Sequence, residues 1–130
     1  MDGVEIVVNP SASNVERGKL TRKLQMLKEL TQRHGGSYVY TNVKGCSGDR
    51  IYFDGGCIFT ENGVIKGLSN LNTLEDIIVT PAIINVTDIR TFRMSNKSFL
   101  KSSNGVRKIP RVKIEVSVCV CEEKYSTSRK

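Results

Sequence analysis

The sequence contains no tryptophan, a single histidine, and only four Phe and four Tyr residues in 130 positions. It has no Cys-x-x-Cys pair, so the usual zinc-binding pattern is missing. No apolar run approaches the roughly 18–20 residues that a membrane-spanning helix needs. The acidic start at residues 1–5 runs directly into a strand-like segment, which argues against a signal peptide. We therefore expect a soluble cytoplasmic protein with one domain and a moderate core.

The sequence has an excess of positive charge. Its twenty Lys and Arg residues against thirteen Asp and Glu residues give a net charge of +7. That charge makes nucleic acid a possible partner. The phosphate contacts would then come from Arg107, Lys108, Arg111 and Lys113. Because aromatic residues are few and no binding motif organises the charge, a solvated basic surface is the simpler interpretation. Nucleic acid is therefore the alternative and not the expected partner.

The four cysteines are Cys46, Cys57, Cys119 and Cys121. Nothing in the sequence indicates secretion, so reduced thiols are favoured over disulfides. Cys119 and Cys121 are two residues apart, which places both on one face of a strand. Plain thiols remain the preferred interpretation of this pair, ahead of a metal or redox role.

The N-terminal third predicts a strand followed by a helix. Residues 4–8 are almost continuously apolar, which is typical of a strand buried on both faces, and Asn9-Pro10 is expected to end it. Ser13 and Glu16 fit a capping box at the start of a helix. An apolar stripe along that helix is formed by Leu20, Leu24, Leu27 and Leu30. The pattern predicts an amphipathic helix of about five turns that ends at Gly35-Gly36.

From residue 37 the pattern is that of short strands. Residues 37–41 are strand-forming, and residues 51–53 and 57–60 lie on either side of a predicted turn at 54–56. Asn62-Gly63 is a strong hairpin signal that leads into another strand. The simplest outcome is a meander of antiparallel strands.

The C-terminal half is less regular. Residues 77–86 are apolar but contain Pro81, which suits an edge strand or a bulge. Thr87-Asp88 is expected to cap a short helix that carries Ile89, Phe92 and Met94. Residues 95–111 resemble an exposed basic loop, and residues 112–118 alternate as in a half-buried strand. The element order indicates an α/β or α+β fold.

Three segments carry a family resemblance: residues 3–13 (GVEIVVNPSAS), 44–55 (KGCSGDRIYFDG) and 85–93 (NVTDIRTFR). Together they resemble the glutaminase domain of eukaryotic-type glutamine-dependent NAD synthetases, a carbon–nitrogen hydrolase of the nitrilase superfamily. The resemblance runs from Asp2 to about Val118, and the middle segment is its most specific part. It implies the C-terminal half of that domain at residues 1–118 and a tail at residues 119–130. The implied fold class is α/β, as part of a four-layer α-β-β-α sandwich.

The resemblance also implies an activity in NAD biosynthesis. In this family a Glu, Lys and Cys triad hydrolyses glutamine through a thioester, and the ammonia serves an ATP-dependent ligase domain that converts deamido-NAD to NAD. The triad is expected upstream of Gly3, and all four cysteines lie downstream of that point. The ligase domain's phosphate-binding loop is also missing. We therefore expect no catalytic residue, metal or cofactor in this chain, and no activity from it alone. The expected partner is L-glutamine, with another copy or a full-length homologue as the alternative protein partner.

Two residues match positions that line the glutamine pocket in family members. Ser11 corresponds to a serine at the substrate's α-amino and carboxylate end, and Lys19 to a basic residue, often Arg, that pairs with the α-carboxylate. Lys in place of Arg gives up bidentate geometry. Two alternatives stay open: Ser11 satisfies backbone groups in a turn, and Lys19 is a solvated helix residue. Asp49 and Arg50 are expected to form a local ion pair, and His34 to lie at a helix end.

Overall fold

The computed structural model describes residues 3–71 and 73–96, together with positions 110, 112 and 114. Its elements are β1 (Ile6–Ser11), α1 (Lys19–His34), β2 (Ser37–Asn42), β3 (Lys44–Ser47), β4 (Ile51–Asp54), β5 (Cys57–Glu61), β6 (Val64–Leu68) and α2 (Val86–Ser95). Helices and strands alternate at the start and strands follow one another afterwards, so the predicted α/β class is confirmed.

The main sheet has four strands in the order β1-β2-β5-β6. Strands β1 and β2 are parallel and are joined by α1, while β2–β5 and β5–β6 are antiparallel pairs. Parallel neighbours need such a crossover, because the chain has to return to the end of the sheet where the first strand began. A tight turn cannot span that distance. In register, Val8 lies beside Val39, and Val39 lies beside Phe59.

Helix α1 packs on one face of this sheet, as its apolar stripe predicts. Leu27 is buried against Tyr40 of β2 and Ile58 of β5. Around this cluster lie the partly buried side chains of Leu20, Leu24 and Tyr38. The period of 3.6 residues per turn places the leucines on one side of the helix, so the sheet covers them together.

The start of α1 differs from the prediction. The helix begins at Lys19, after Gly18 in a left-handed conformation (φ 76°), and no side chain caps it. The Ser13 capping box is therefore wrong. The backbone N–H and C=O of Ser13 both bond to the side chain of Asn42, and the Val15 N–H donates to the Tyr52 carbonyl. These partners hold residues 13–15 extended beside β4. The predicted end at Gly35 is confirmed.

Strand β1 continues through Asn9 and Pro10 to Ser11, so the predicted stop at Asn9-Pro10 is wrong. The carbonyls of Glu5 and Ser11 accept hydrogen bonds from the β2 side. Because these groups alternate along a strand, the N–H that Pro10 lacks would face the free edge, where no ladder bond is lost. Burial on both faces is also wrong for the described residues, since Val8 is 63% exposed.

The predicted meander is wrong at its first turn. Strands β4 and β5 belong to different sheets, and β4 pairs with the unpredicted strand β3. Residues 37–47 and 51–61 form one long bent hairpin in a single register, with Thr41 beside Cys57 and Lys44 beside Asp54. Its bend lies where Gly55 N–H donates to the Val43 carbonyl. The glycines at 55 and 56 therefore allow a bend, and the reversal occurs at residues 48–50.

The tip of this hairpin contains Asp49 in a left-handed conformation (φ 56°). No Asp49–Arg50 ion pair is present among the described residues, so that expectation is wrong. The next turn behaves as predicted. Asn62 and Gly63 have positive φ values of 49° and 89° and connect β5 to β6. Asparagine and glycine tolerate that conformation best, which is why this dipeptide favours tight hairpins.

The segment before α2 contains no strand in residues 77–85, so the predicted edge strand is wrong. The N–H of Asn85 instead donates to the buried Glu61 carboxylate at 2.9 Å. The predicted short helix is confirmed as α2, but its cap is Asn85, whose side chain accepts from the Thr87 N–H. Arg93 ties α2 to the end of α1 by donating to the Gly35 carbonyl at 2.7 Å.

Most of the remaining C-terminal predictions lie outside the described residues. These are the loop at 97–109, the strand at 112–118 apart from Val112 and Ile114, the tail at 119–130 and the basic residues at 107, 108, 111 and 113. They stay predictions.

Candidate functional site

Ser11 and Lys19 are brought to the same groove, which lies between the end of β1 and the first turns of α1. Its volume is about 470 Å³. Ser11 is the last residue of β1, and Lys19 is the first residue of α1. The seven residues between them form no regular element other than an isolated bridge from Asn14 to Phe53. The C-terminal end of β1 and the N-terminal end of α1 therefore border the same groove.

The Ser11 hydroxyl is half-buried and donates to the Asn9 side-chain oxygen at 3.1 Å. Asn9 in turn donates to the Tyr38 hydroxyl at 2.8 Å. The hydroxyl therefore bonds to a side chain. With its hydrogen directed to Asn9, its oxygen lone pairs can accept from a donor in the groove.

The Lys19 ammonium donates to the Asn14 side-chain oxygen at 2.5 Å and to Glu16 at 3.4 Å. Its side chain is 28% exposed, so it is neither buried nor freely solvated. Hydrogen bonds from Asn14 and then from Lys19 hold the pKa of Glu16 below its ordinary value. Glu16 is therefore a carboxylate at neutral pH, and it occupies the position that an external carboxylate would need.

Lys23 is a further cation in this groove that the sequence prediction missed. Its ammonium donates to the Tyr40 hydroxyl at 2.8 Å and lies 4.2 Å from the centroid of that ring. The Asp54 carboxylate is 3.9 Å away, and the Lys23 side chain is only 10% exposed. The available signal was its spacing of four residues from Lys19, which places both on one side of the helix.

Asn42 was also missed, and it holds the turn that follows Ser11. Its side-chain oxygen accepts from the Ser13 N–H at 2.8 Å, and its amide nitrogen donates to the Ser13 carbonyl at 2.8 Å. The same nitrogen donates to Asp54 at 2.6 Å. That Asp54 oxygen accepts from the Gly56 N–H as well. Asn42 therefore links the turn to the bend of the long hairpin.

Charge in the groove favours an anionic group. Three cations line or border it, Lys19, Arg22 and Lys23, and they face two carboxylates, Glu16 and Asp54. The surplus of one positive charge suits a single carboxylate on a ligand.

The described residues show little sign of other chemistry. Cys46 and Cys57 are free, and burial raises the pKa of the Cys57 thiol, which disfavours the nucleophilic thiolate. Residues 3–71 and 73–96 contain no group of three or more His, Cys, Asp or Glu side chains that could hold a metal ion. Neither described helix has the length and apolar character needed to cross a membrane.

The fold is that of an α/β segment that also occurs within a larger protein. A solved glutamine-dependent NAD(+) synthetase from Cytophaga hutchinsonii has a similar fold, with a TM-score of 0.56 and 24% identity. The match covers 60% of this chain and 14% of that chain. No family model matches the sequence.

Sequence relatives place the likeness over almost the whole chain. The glutamine-dependent NAD(+) synthetase of Saccharomyces cerevisiae is 34% identical over 126 residues, which is 96% of this chain and 18% of that protein. The enzymes of Dictyostelium discoideum and Homo sapiens are 33% and 31% identical, covering 91% and 95% of this chain. The chain spans less than a fifth of the length of the curated relatives it matches. It is homologous to one segment of the glutamine-dependent NAD(+) synthetases.

Proposed function

We propose that this segment forms one wall of the glutamine pocket of a glutaminase unit that supplies ammonia for NAD synthesis. The observation that supports this most directly is that Ser11 and Lys19 open onto the same groove. The relatives are named as glutamine-dependent enzymes, which points to L-glutamine as the ligand. The groove offers a hydroxyl and a cation that can bind the amino-acid end of glutamine.

In this proposal the Ser11 oxygen accepts a hydrogen bond from the α-ammonium of L-glutamine. The Lys19 ammonium pairs with the α-carboxylate, which replaces Glu16 as its anionic partner. Lys23 stays with Asp54 and Tyr40, since its ammonium is already paired and almost buried. A lysine makes a single-point contact where arginine would make two parallel hydrogen bonds, so we expect weak binding.

L-Glutamine binding can be measured by chemical-shift titration of the 130-residue chain, with D-glutamine as the control ligand. The substitution K19M removes the cation and keeps the side-chain length. We expect it to weaken binding by about ten- to 150-fold, because a hydrogen bond to a charged group contributes about 1.5–3 kcal/mol. K28M is the matched control, since Lys28 is an exposed position on the same helix. Equal titration by both enantiomers, or no titration of the groove residues, would contradict the proposal.

We further propose that these 130 residues do not hydrolyse glutamine by themselves. A thiolate nucleophile needs a neighbouring base and an oxyanion donor. The raised pKa of Cys57 gives the wrong protonation state for that role. An assay of ammonia release should therefore show no turnover above a C46S/C57S control. Clear turnover would contradict the proposal that the chain is inactive by itself. ATP and deamido-NAD are assigned to other parts of a longer enzyme, and not to this segment.

A second candidate function is contact with a further copy or a longer homologue. Ile6 and Val8 lie on the side of the sheet opposite α1, and both are exposed large apolar residues. Exposed apolar area of this kind commonly marks an interaction surface. Co-expression with a full-length relative, followed by affinity purification, tests it. Purification of the chain without the relative would argue against it. We also propose a cytoplasmic location, because the described cysteines are free thiols.

A further inference from the structure

The turn between Ser11 and Lys19 is held in place by one side chain from another part of the chain. Residue 13 lies outside any helix or strand, so no ladder satisfies its backbone groups. Asn42, at the end of β2 and 29 residues later, accepts from the Ser13 N–H and donates to the Ser13 carbonyl. One amide thus pairs with both backbone groups of a residue, as a neighbouring strand would.

The side chain of Asn42 is itself held in place by a hydrogen bond to Asp54. Its second amide hydrogen goes to Asp54, which also accepts from the Gly56 N–H at 2.9 Å. The other Asp54 oxygen faces Lys23, which is bonded to Tyr40. Asn42 and Tyr40 are two residues apart on β2 and therefore on the same face of the sheet. The contacting side chains of Asn42, Asp54, Lys23 and Tyr40 are almost buried. No buried side-chain polar atom in the described residues is left without a hydrogen-bond partner.

We infer that Asn42 is a positioning residue for glutamine recognition: it sets the turn that fixes the distance between the Ser11 hydroxyl and the Lys19 ammonium. This inference rests on the proposed glutamine site. The position needs one acceptor and two donors at the same time, which only a side-chain amide supplies in that shape. Aspartate has the shape but not the donors, and it would place a second carboxylate against Asp54.

Three variants test the contact between positions 42 and 54, and the core resonances given below separate its role from a general effect on folding. In N42D both donated hydrogen bonds are lost and two carboxylates meet. In D54N the Asn42 contacts remain possible, because asparagine keeps an oxygen for Asn42 and for the Gly56 N–H. In N42D/D54N the carboxylate and the amide exchange places, so the link between positions 42 and 54 can re-form. The donation to the Ser13 carbonyl stays lost, and the Gly56 N–H loses its acceptor, because the Asp54 oxygen that accepts from Asn42 also accepts from Gly56.

We expect N42D to weaken L-glutamine binding at least tenfold, since it removes two hydrogen bonds, one of them to a carboxylate, and sets two carboxylates against each other. D54N should weaken binding less than N42D, because it keeps both hydrogen bonds between Asn42 and Ser13 and removes the carboxylate that faces Lys23. The exchanged pair should regain about three- to fivefold over N42D by re-forming the hydrogen bond between positions 42 and 54. Recovery on exchange would show that positions 42 and 54 act through their mutual contact, because residues in one hydrogen-bond network are coupled.

Affinity is measured by the same titration, with hydrogen exchange of the Ser13 amide as a second reading and the Leu27 and Ile58 methyl resonances as a test of the core. If the unsubstituted chain binds and N42D binds equally well, the positioning role is wrong while the glutamine site stands. If the unsubstituted chain does not bind, the glutamine site fails, and the inference about recognition fails with it. If N42D does not fold, N42S is used, and unchanged affinity in N42S equally overturns the inference.

Discussion

The two faces of the main sheet differ in what covers them. On the α1 face, Leu27 and Ile58 are each 1% exposed. On the opposite face, Val8 is 63% exposed although it belongs to the most continuously apolar strand of the sequence. An apolar side chain is buried only if a second layer reaches it. The comparison shows that strand composition alone does not determine burial.

The opposite face is covered more at its β5–β6 end than at its β1 end. A side chain at Gly67 would meet Phe59 at 3.2 Å and Ala82 at 3.4 Å, so the segment before α2 lies close to the sheet there. Glu61 holds that segment through the Asn85 N–H. The uneven cover explains why Ile6 and Val8 remain available to a partner.

The largest effect that separates the two faces is expected for L27A. Truncating this buried side chain leaves a cavity between α1 and the sheet, at a cost of about 2–5 kcal/mol. V8A removes a largely exposed side chain on the other face and should change stability by less than about 0.5 kcal/mol. Urea denaturation gives both values. Similar losses for the two variants would mean that both faces are covered in solution.

Next in size is E61A, which tests how firmly the pre-α2 segment closes the opposite face. The substitution leaves the Asn85 N–H without its acceptor and Lys66 without its partner at 3.3 Å. We expect a loss of about 2 kcal/mol and faster proteolysis between β6 and α2. E61Q keeps an acceptor and should lose less. A proteolysis rate unchanged in E61A would show that the segment is held by other contacts.

The substitution G63A tests the α1 face at the hairpin between β5 and β6. Gly63 has φ 89°, and an added Cβ would lie 2.8 Å from the Gln32 Cβ on α1. The left-handed backbone alone costs about 1 kcal/mol, and the close approach adds to it. G48A is the matched control, because φ is 57° there and nothing lies within 4 Å. Equal melting temperatures for the two variants would mean that α1 moves away from the added Cβ without a loss of stability.

The smallest effect is expected for R90M, which removes the ion pair between Arg90 of α2 and Glu5, the residue just before β1. The hydrogen bond from Arg90 lowers the pKa of Glu5 below its ordinary value of 4.5. A lowered folded-state pKa contributes stability above the unfolded pKa, and the contribution disappears as pH falls through the folded value. The melting temperatures of R90M and the unsubstituted chain should therefore differ slightly near neutral pH and converge in acid. A difference that persists in acid, or that ignores added salt, would contradict this assignment.

The candidate site was only partly predictable. Ser11 and Lys19 came from the family resemblance, and the structure brings them to one groove. Lys23 could have been found from its spacing to Lys19. Asn42 and Asp54 could not, because their contacts join residues 29 and 12 positions apart and no local pattern records such pairs. The contact of Ser11 and Lys19 with glutamine remains a proposal.

The sequence by itself determined the elements whose cause is local. The leucine stripe of α1, its end at Gly35 and the Asn62-Gly63 turn each depend on residues within a few positions of one another. Only the tertiary structure decided the late start of α1, the bend of the long hairpin and the two unequal faces. In each case distant groups compete for the same backbone or the same surface. Ser13 illustrates this, since its backbone bonds to Asn42 from another strand and the helix that its own neighbours favour begins six residues later.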